Sequence, residues 1–168
     1  MKREQKVFLL RFIGVLVFFY LVVAMRPVND RVIVPFTGLI VQASAAVLRG
    51  LGEPARTAGT LLTSPAFTVD VKNGCNGVEA MLLLVSAILA FPAPARKRLA
   101  GLLAGVAAIQ VANLIRVVSL FWLGVHHRDV FELFHAAIWQ TVLILMSVVL
   151  FILWSRRVGP VAAAPNAA

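Results

Sequence analysis

The sequence predicts an all-α integral membrane protein with about four transmembrane helices, an interfacial or re-entrant helix and a short extracytoplasmic hairpin. Of its 168 residues, 61% are hydrophobic and only 14% charged, with a mean hydropathy of +0.93; soluble domains average about half apolar and about a quarter charged. Four runs approach the ~20 apolar residues that cross a bilayer as a helix. Between and beside those runs stand clusters of lysine and arginine, which collect on the cytoplasmic side of membranes.

The four runs are Val7 to Met25, Val78 to Ala93, Leu99 to Val125 and Phe134 to Trp154. Lys2, Arg3 and Lys6 precede the first, Arg96 to Arg98 separate the second from the third, and Arg156 and Arg157 follow the fourth. With all three clusters inside, the first span runs outward, the second inward, the third outward and the fourth inward. Arg26 to Gly77 then begins and ends outside, so Val32 to Gly52 within it cannot be a single crossing. That run carries Pro35, Thr37, Gln42, Ser44 and Arg49, and its apolar residues are partly sided, as in an interfacial helix. On the outer side Arg26, Arg31, Arg49, Arg56, Lys72 and Arg128 are balanced by Asp30, Glu53, Asp70, Glu79, Asp129 and Glu132, whereas Glu4 alone opposes the inner bases. The net charge of +9 therefore marks orientation, and a basic surface split over three loops offers nucleic acid no continuous groove.

The first run is longer than the apolar stretch of a typical signal peptide and lacks a small-x-small cleavage site at Met25-Arg26-Pro27, so it reads as a retained helix. Phe67, Val69 and Val71 alternate with Thr68, Asp70 and Lys72, the period of a strand, which predicts the hairpin within Thr60 to Asn73. Residues 1–157 form one membrane-embedded domain, and the Ala- and Pro-rich segment 158–168 is predicted to be a disordered cytoplasmic tail.

The chemistry begins at NGCNG, Asn73 to Gly77, which holds the chain's one cysteine. Cys75 lies on the outer side, one short turn before a membrane helix, whose N-terminus would favour the thiolate. The alternative is a small buried residue in helix packing. Arg116 interrupts an apolar helix, where a charge is costly and marks a functional site by default. It lies 17 residues beyond Leu99, roughly 26 Å along a helix rising about 1.5 Å per residue, close to the outer surface of a core about 30 Å thick. Snorkelling to that surface is its alternative. His135 opens the last span at the same depth, with His126 and His127 competing for any role given to it.

Cys, His and Arg at one depth form a set for acyl transfer. A thiolate attacks a carbonyl, an imidazole takes the thiol proton and returns it to the leaving amine, and a guanidinium stabilises the oxyanion or positions the substrate. Around them, Glu79 could orient His135, pair with Arg116 or simply complement the helix dipole. Asn76 and Asn113 could supply amide donors, or Asn113 could bridge packed helices. All three are placed in a supporting or substrate-positioning role.

KNGCNGVEA, NLIRVV and the later His135 resemble the three blocks of the exosortase/archaeosortase family over roughly Val69 to Trp154, and the compact chain resembles its exosortase H subgroup. The resemblance implies a membrane cysteine protease or transpeptidase of the inner membrane, multi-pass, with its site on the extracytoplasmic side. It implies Cys75 as nucleophile with Arg116 and His135 completing the catalytic set, and no cofactor. The implied partners are exported proteins whose C-terminal sorting signal combines a motif, for this subgroup of the IPTL type, with a membrane helix and a basic tail. Resolution of the thioacyl-enzyme by an amine or by water stays open.

Other classes fit less well. Disulfide exchange needs a cysteine pair, and no metal-ligand spacing accompanies His126, His127 or His135. A non-enzymatic scaffold or small transporter is the alternative of a different class, with Ser86, Gln110, Thr141 and Ser147 as its midplane polar residues. The charge parity makes a direct prediction. In a Cys75→Ala background, Arg56→Cys should be labelled by an impermeant thiol reagent from outside and Lys97→Cys only from inside; labelling of Arg56→Cys from the cytoplasm alone would overturn the topology.

Overall fold

The computed structural model describes residues 3–159. Lys2 and the tail from residue 160 onward, for which disorder was expected, lie outside them. Helix α1 spans Arg3–Ala24 and buries none of its residues, as befits a helix apolar on all sides and facing lipid. Met25 then turns extended (φ −68°, ψ 126°) and Pro27 sits in the first turn of the next helix, where its missing N–H costs nothing. That helix, α2, spans Arg26–Gly50 and includes a π-helical turn at Asn29–Ile33. It buries Ile33, Thr37, Val41, Ser44, Ala45 and Leu48, positions three to four apart that make one face, so the sidedness read from sequence is the face it packs.

After α2 come three short strands, β1 Arg56–Ala58, β2 Leu61–Thr63 and β3 Thr68–Asp70, paired antiparallel in the order β1-β2-β3. The predicted hairpin is the β2–β3 half. The third strand was not foreseen: Arg56–Ala58 is wholly exposed, so no apolar alternation announces it, and it forms because its backbone completes the ladder with β2.

Helix α3 spans Val78–Ala90, α4 Ala95–His126 and α5 Arg128–Val158, the last with a π-helical turn at Phe134–Ile138. Two departures from the expected spans follow. The helix expected from Val78 to Ala93 ends at Ala90, where Phe91 turns extended ahead of Pro92 and Pro94. Its 13 residues rise only about 20 Å, short of a hydrocarbon core. Helix α2, by contrast, is long and apolar enough to cross, and by length and composition the four candidates are α1, α2, α4 and α5.

Contacts place these helices relative to one another. Phe8, Phe91 and Phe151 stack or meet edge to face, Trp154 Nε1 donates to the Lys97 carbonyl (3.1 Å), and Arg98 Nη2 donates to the carbonyls of Phe91 and Ala93 (3.3 Å each). The start of α1, the end of α3, the start of α4 and the end of α5 therefore share one end, and it is the end that carries Arg3, Arg96 to Arg98, Arg156 and Arg157. A core of Ala80, Leu84, Ile88, Ile109 and Leu143 joins α3, α4 and α5 above it. Helix α2 lies alongside the far third of α4: Thr37 reaches Asn76, and Glu53, just past α2, meets His126. Val41, Ala45 and Leu48 of α2 pack with Leu62, Val71, Val117 and Phe121, so the small sheet roofs the junction of α2 and α4.

Close approach at this roof depends on Gly124, where a Cβ would collide with the Phe67 ring. Phe67 in turn packs edge-on against Phe121 and Phe131 (5.7 and 5.3 Å between centroids). Gly124→Leu should therefore cost about 1–3 kcal/mol through overpacking, read as a lower unfolding midpoint in detergent. Gly14→Leu, at a position with nothing within 4 Å, should leave the midpoint unchanged.

Candidate active site

Gly74 and Gly77 take positive φ (89° and 76°) and fold NGCNG into a tight turn. Its backbone is tied down at each step: Cys75 N–H donates to the Lys72 carbonyl (2.9 Å), and Gly74 N–H donates to Glu79 Oε1 (2.8 Å). Asn76 is fully buried. Its Nδ2 donates to Thr37 Oγ1 (3.0 Å) and Asn73 Oδ1 (3.3 Å), while its Oδ1 accepts from Val78 N–H (3.1 Å), capping α3. Gln110 Nε2 reaches the Asn76 carbonyl (3.4 Å). A Cβ at Gly77 would lie 3.0 Å from Asn113 Cγ, so the turn rests directly on α4.

Three chemically distinct groups meet at this turn. Cys75 Sγ lies 3.0 Å from His135 Nε2, and Arg116 Nη2 lies 3.7 Å from the same sulfur. Arg116 Nη1 donates to the Gly74 carbonyl (3.2 Å) and to Gln140 Oε1 (3.4 Å). The guanidinium does not snorkel: Arg116 is 2% exposed and points into the bundle. Among the described residues no carboxylate pairs with it. A small pocket of about 30 Å³ bounded by Val69, Val71, Leu120 and Phe131 encloses the three groups.

His135 sits in the π-helical turn of α5. The wider turn places Gln140, five residues on, along the same face, which is how both side chains reach the site. The His135 ring stacks on Phe131 (5.5 Å), and its Nδ1 lies 3.9 Å from Glu132 Oε2. His126 instead meets Glu53 (3.0 Å), and both His126 and His127 lie against Trp122; neither approaches the thiol. Glu79 neither orients His135 nor ion-pairs with Arg116; it holds the Gly74 amide. Asn113 is buried with both amide atoms unpartnered among the described residues. The sequence gives Gln140 no role, Gln110 only a place among the midplane polar residues of the transporter alternative, and Thr37 only a place among the polar residues of α2. All three interrupt apolar runs; what the sequence lacks is the packing that brings Thr37 of α2 to Asn76 of the turn.

A family model described as transmembrane exosortase (Exosortase_EpsH) matches residues 4–160. The chain belongs to the transmembrane exosortase family. No curated protein and no solved structure matches it. Membership supports a membrane transpeptidase role in general, and the residues that resembled the family's blocks are those that meet at the turn.

In this exosortase the surroundings of Cys75 disfavour the thiolate. Burial pushes the Cys75 thiol up, Arg116 pulls it down and Glu79 adds to the rise, with burial dominant. The sequence expectation of a thiolate favoured by the helix N-terminus is thus reversed, because desolvation of the charged form exceeds the attraction of one guanidinium. The pH dependence of Cys75 alkylation by iodoacetamide in membranes reads this directly, since Cys75 is the chain's one cysteine. In a His135→Ala background, the rate should rise with pH to a midpoint above that of a free cysteine. Arg116→Gln should move the midpoint further up and Glu79→Gln should move it down; a midpoint below the free thiol would contradict the balance.

Proposed function

We propose that this exosortase is a cysteine peptidase or transpeptidase that cuts the C-terminal sorting signal of exported proteins, with Cys75 as nucleophile, His135 as proton carrier and Arg116 as the oxyanion donor. The observation that carries the reading is the approach of His135 Nε2 to Cys75 Sγ at 3.0 Å beside the buried Arg116 guanidinium. In this reading, ionisation of the thiol accompanies attack. His135 Nε2 accepts the thiol proton as sulfur bonds to the scissile carbonyl carbon, and the imidazolium then donates that proton to the leaving nitrogen as the C–N bond breaks. For Nε2 to accept, the neutral ring carries its proton on Nδ1, the nitrogen nearer Glu132.

Arg116 suits the developing charge. A buried cation without a carboxylate partner is costly, and both a thiolate and a tetrahedral oxyanion relieve that cost. Its stabilisation is therefore greatest in the charged states along the reaction, which is the condition for lowering a barrier. The thioester left on Cys75 is resolved by an amine or by water. The substrate in this reading is an exported protein carrying an IPTL-type motif, a membrane helix and a basic tail. Its helix would insert beside these spans in the inner membrane and present its outer end to the thiol from the extracytoplasmic side.

Co-expression with a reporter ending in Ile-Pro-Thr-Leu, an apolar helix and an arginine-rich end, followed by mass measurement of its new C-terminus, tests the proposal. Cys75→Ala and Cys75→Ser should leave the reporter uncut. His135→Ala should lose about 10²- to 10⁴-fold in rate and regain part of it at higher pH. Arg116→Lys should lose about 10²-fold, because an ammonium keeps the charge without the planar fork of donors. Processing by Cys75→Ala at the native rate would rule the reading out.

A further inference from the structure

Strand β3 is an open edge beside the thiol. Val71 N–H donates to the Thr60 carbonyl and Ser64 N–H to the Phe67 carbonyl, and the register pairs Leu62 with Val69. In an antiparallel ladder, bonded and non-bonded pairs alternate, so Val69 bonds to β2 while Thr68 and Asp70 turn their N–H and C=O groups away from it. Among the described residues nothing takes these outward groups. They face a cleft of about 640 Å³ whose opposite wall is Arg128, Phe131 and Glu132 at the start of α5, a volume in the range of ligand sites. Arg128 closes its far end by donating to the Ala66 carbonyl and lying over the Phe67 ring. At the near end, Val69, Asp70 and Phe131 line both this cleft and the pocket around Cys75.

The geometry points to a peptide-binding edge: the residues of the substrate N-terminal to the scissile bond add to β3 as a parallel fourth strand, held in the cleft between β3 and α5. The occupant follows from continuity with the thiol pocket and rests on the peptidase reading above. With the substrate's membrane helix on the lipid side of Cys75, its exported portion must leave on the other side, where the cleft is. It would then run toward the thiol in the same direction as β3, which passes from Thr68 through Asp70 to Cys75. Recognition of this kind uses main-chain hydrogen bonds for affinity and alternate side chains for selectivity.

The test uses the full chain in membranes with the reporter above. In a Cys75→Ala, Thr68→Cys enzyme, single cysteines are placed at each of the residues preceding the reporter's motif and captured by oxidation. Capture should peak at one position, recur two residues away and be absent between, because side chains of a paired strand alternate faces. Capture at no position, or at all of them equally, overturns strand addition. Separately, Thr68→Pro removes the outward N–H without touching the β2 ladder and should slow processing roughly tenfold, as loss of one hydrogen bond allows, whereas Thr68→Ala, which keeps that N–H, should lose clearly less; equal rates for the two also overturn it. An unchanged Cys75 alkylation rate in Thr68→Pro shows that the site itself is intact. Processing by the native enzyme with flat capture would remove the strand and leave the peptidase; periodic capture without processing would do the reverse.

Discussion

A guanidinium buried in a membrane helix bundle without a carboxylate partner is the constraint around which this molecule is arranged. Taking Arg116 out of water costs several kcal/mol, and its hydrogen bonds go to neutral acceptors, the Gly74 carbonyl, the Gln140 amide oxygen and the Cys75 sulfur, while the Glu79 carboxylate attracts it from beyond ion-pair distance. Each must stay where it is for the charge to be tolerated. Hence the cysteine turn is tethered through Glu79, Asn76 and Thr37, and hence α5 carries a π-helical turn that brings His135 and Gln140 to one face. In the proposed reaction, the same buried cation would favour an anion formed beside it.

The same enclosure sets the character of the Cys75 thiol. Packing β3, α4 and α5 around the thiol leaves Cys75 only partly exposed, and that partial burial penalises the thiolate more than one cation favours it. A permanently ionised cysteine in so apolar a pocket would be both costly and exposed to side reactions. In the proposed reaction, a thiol bonded to an imidazole would confine charge separation to the moment of attack. The sheet that closes the pocket also leaves its own outer edge unpaired beside it, so one small element shields the thiol and offers a polar rail leading to it.

Elements beside the bundle of α3, α4 and α5 help to hold the site in place. Helix α2 and the sheet share a core with Val117 and Phe121 of α4, and Gly124 lets Phe67 seat against that helix. The short α3, held between α1, α4 and α5, links the inner aromatic cluster of Phe8, Phe91, Phe151 and Trp154 to the cysteine turn. Proline at 92 and 94 stops it early, and the basic residues that follow anchor the turn through Arg98.

Much of this was legible in the sequence. Hydropathy dictated a helical membrane protein because a backbone in lipid has to satisfy its own hydrogen bonds, and helices do so locally. Lysine and arginine clusters grouped the correct helix ends, since contacts between Phe8, Phe91, Phe151 and Trp154 join those same ends. Counting along helices put Cys75, Arg116 and His135 at one depth. Depth is a one-dimensional quantity, and a rise per residue suffices to obtain it. Azimuth is not: whether Arg116 snorkels or points inward, whether His135 or His126 meets the thiol, and whether Glu79 binds a side chain or an amide depend on helix rotation and packing. A π-helical turn that shifts register within α5 leaves no mark in an apolar run. Strand β1 is equally silent, because an exposed strand exists only through its neighbour. The rise in the thiol's pKa belongs to the same class, for burial is a property of everything folded around a residue and of nothing adjacent to it in the chain.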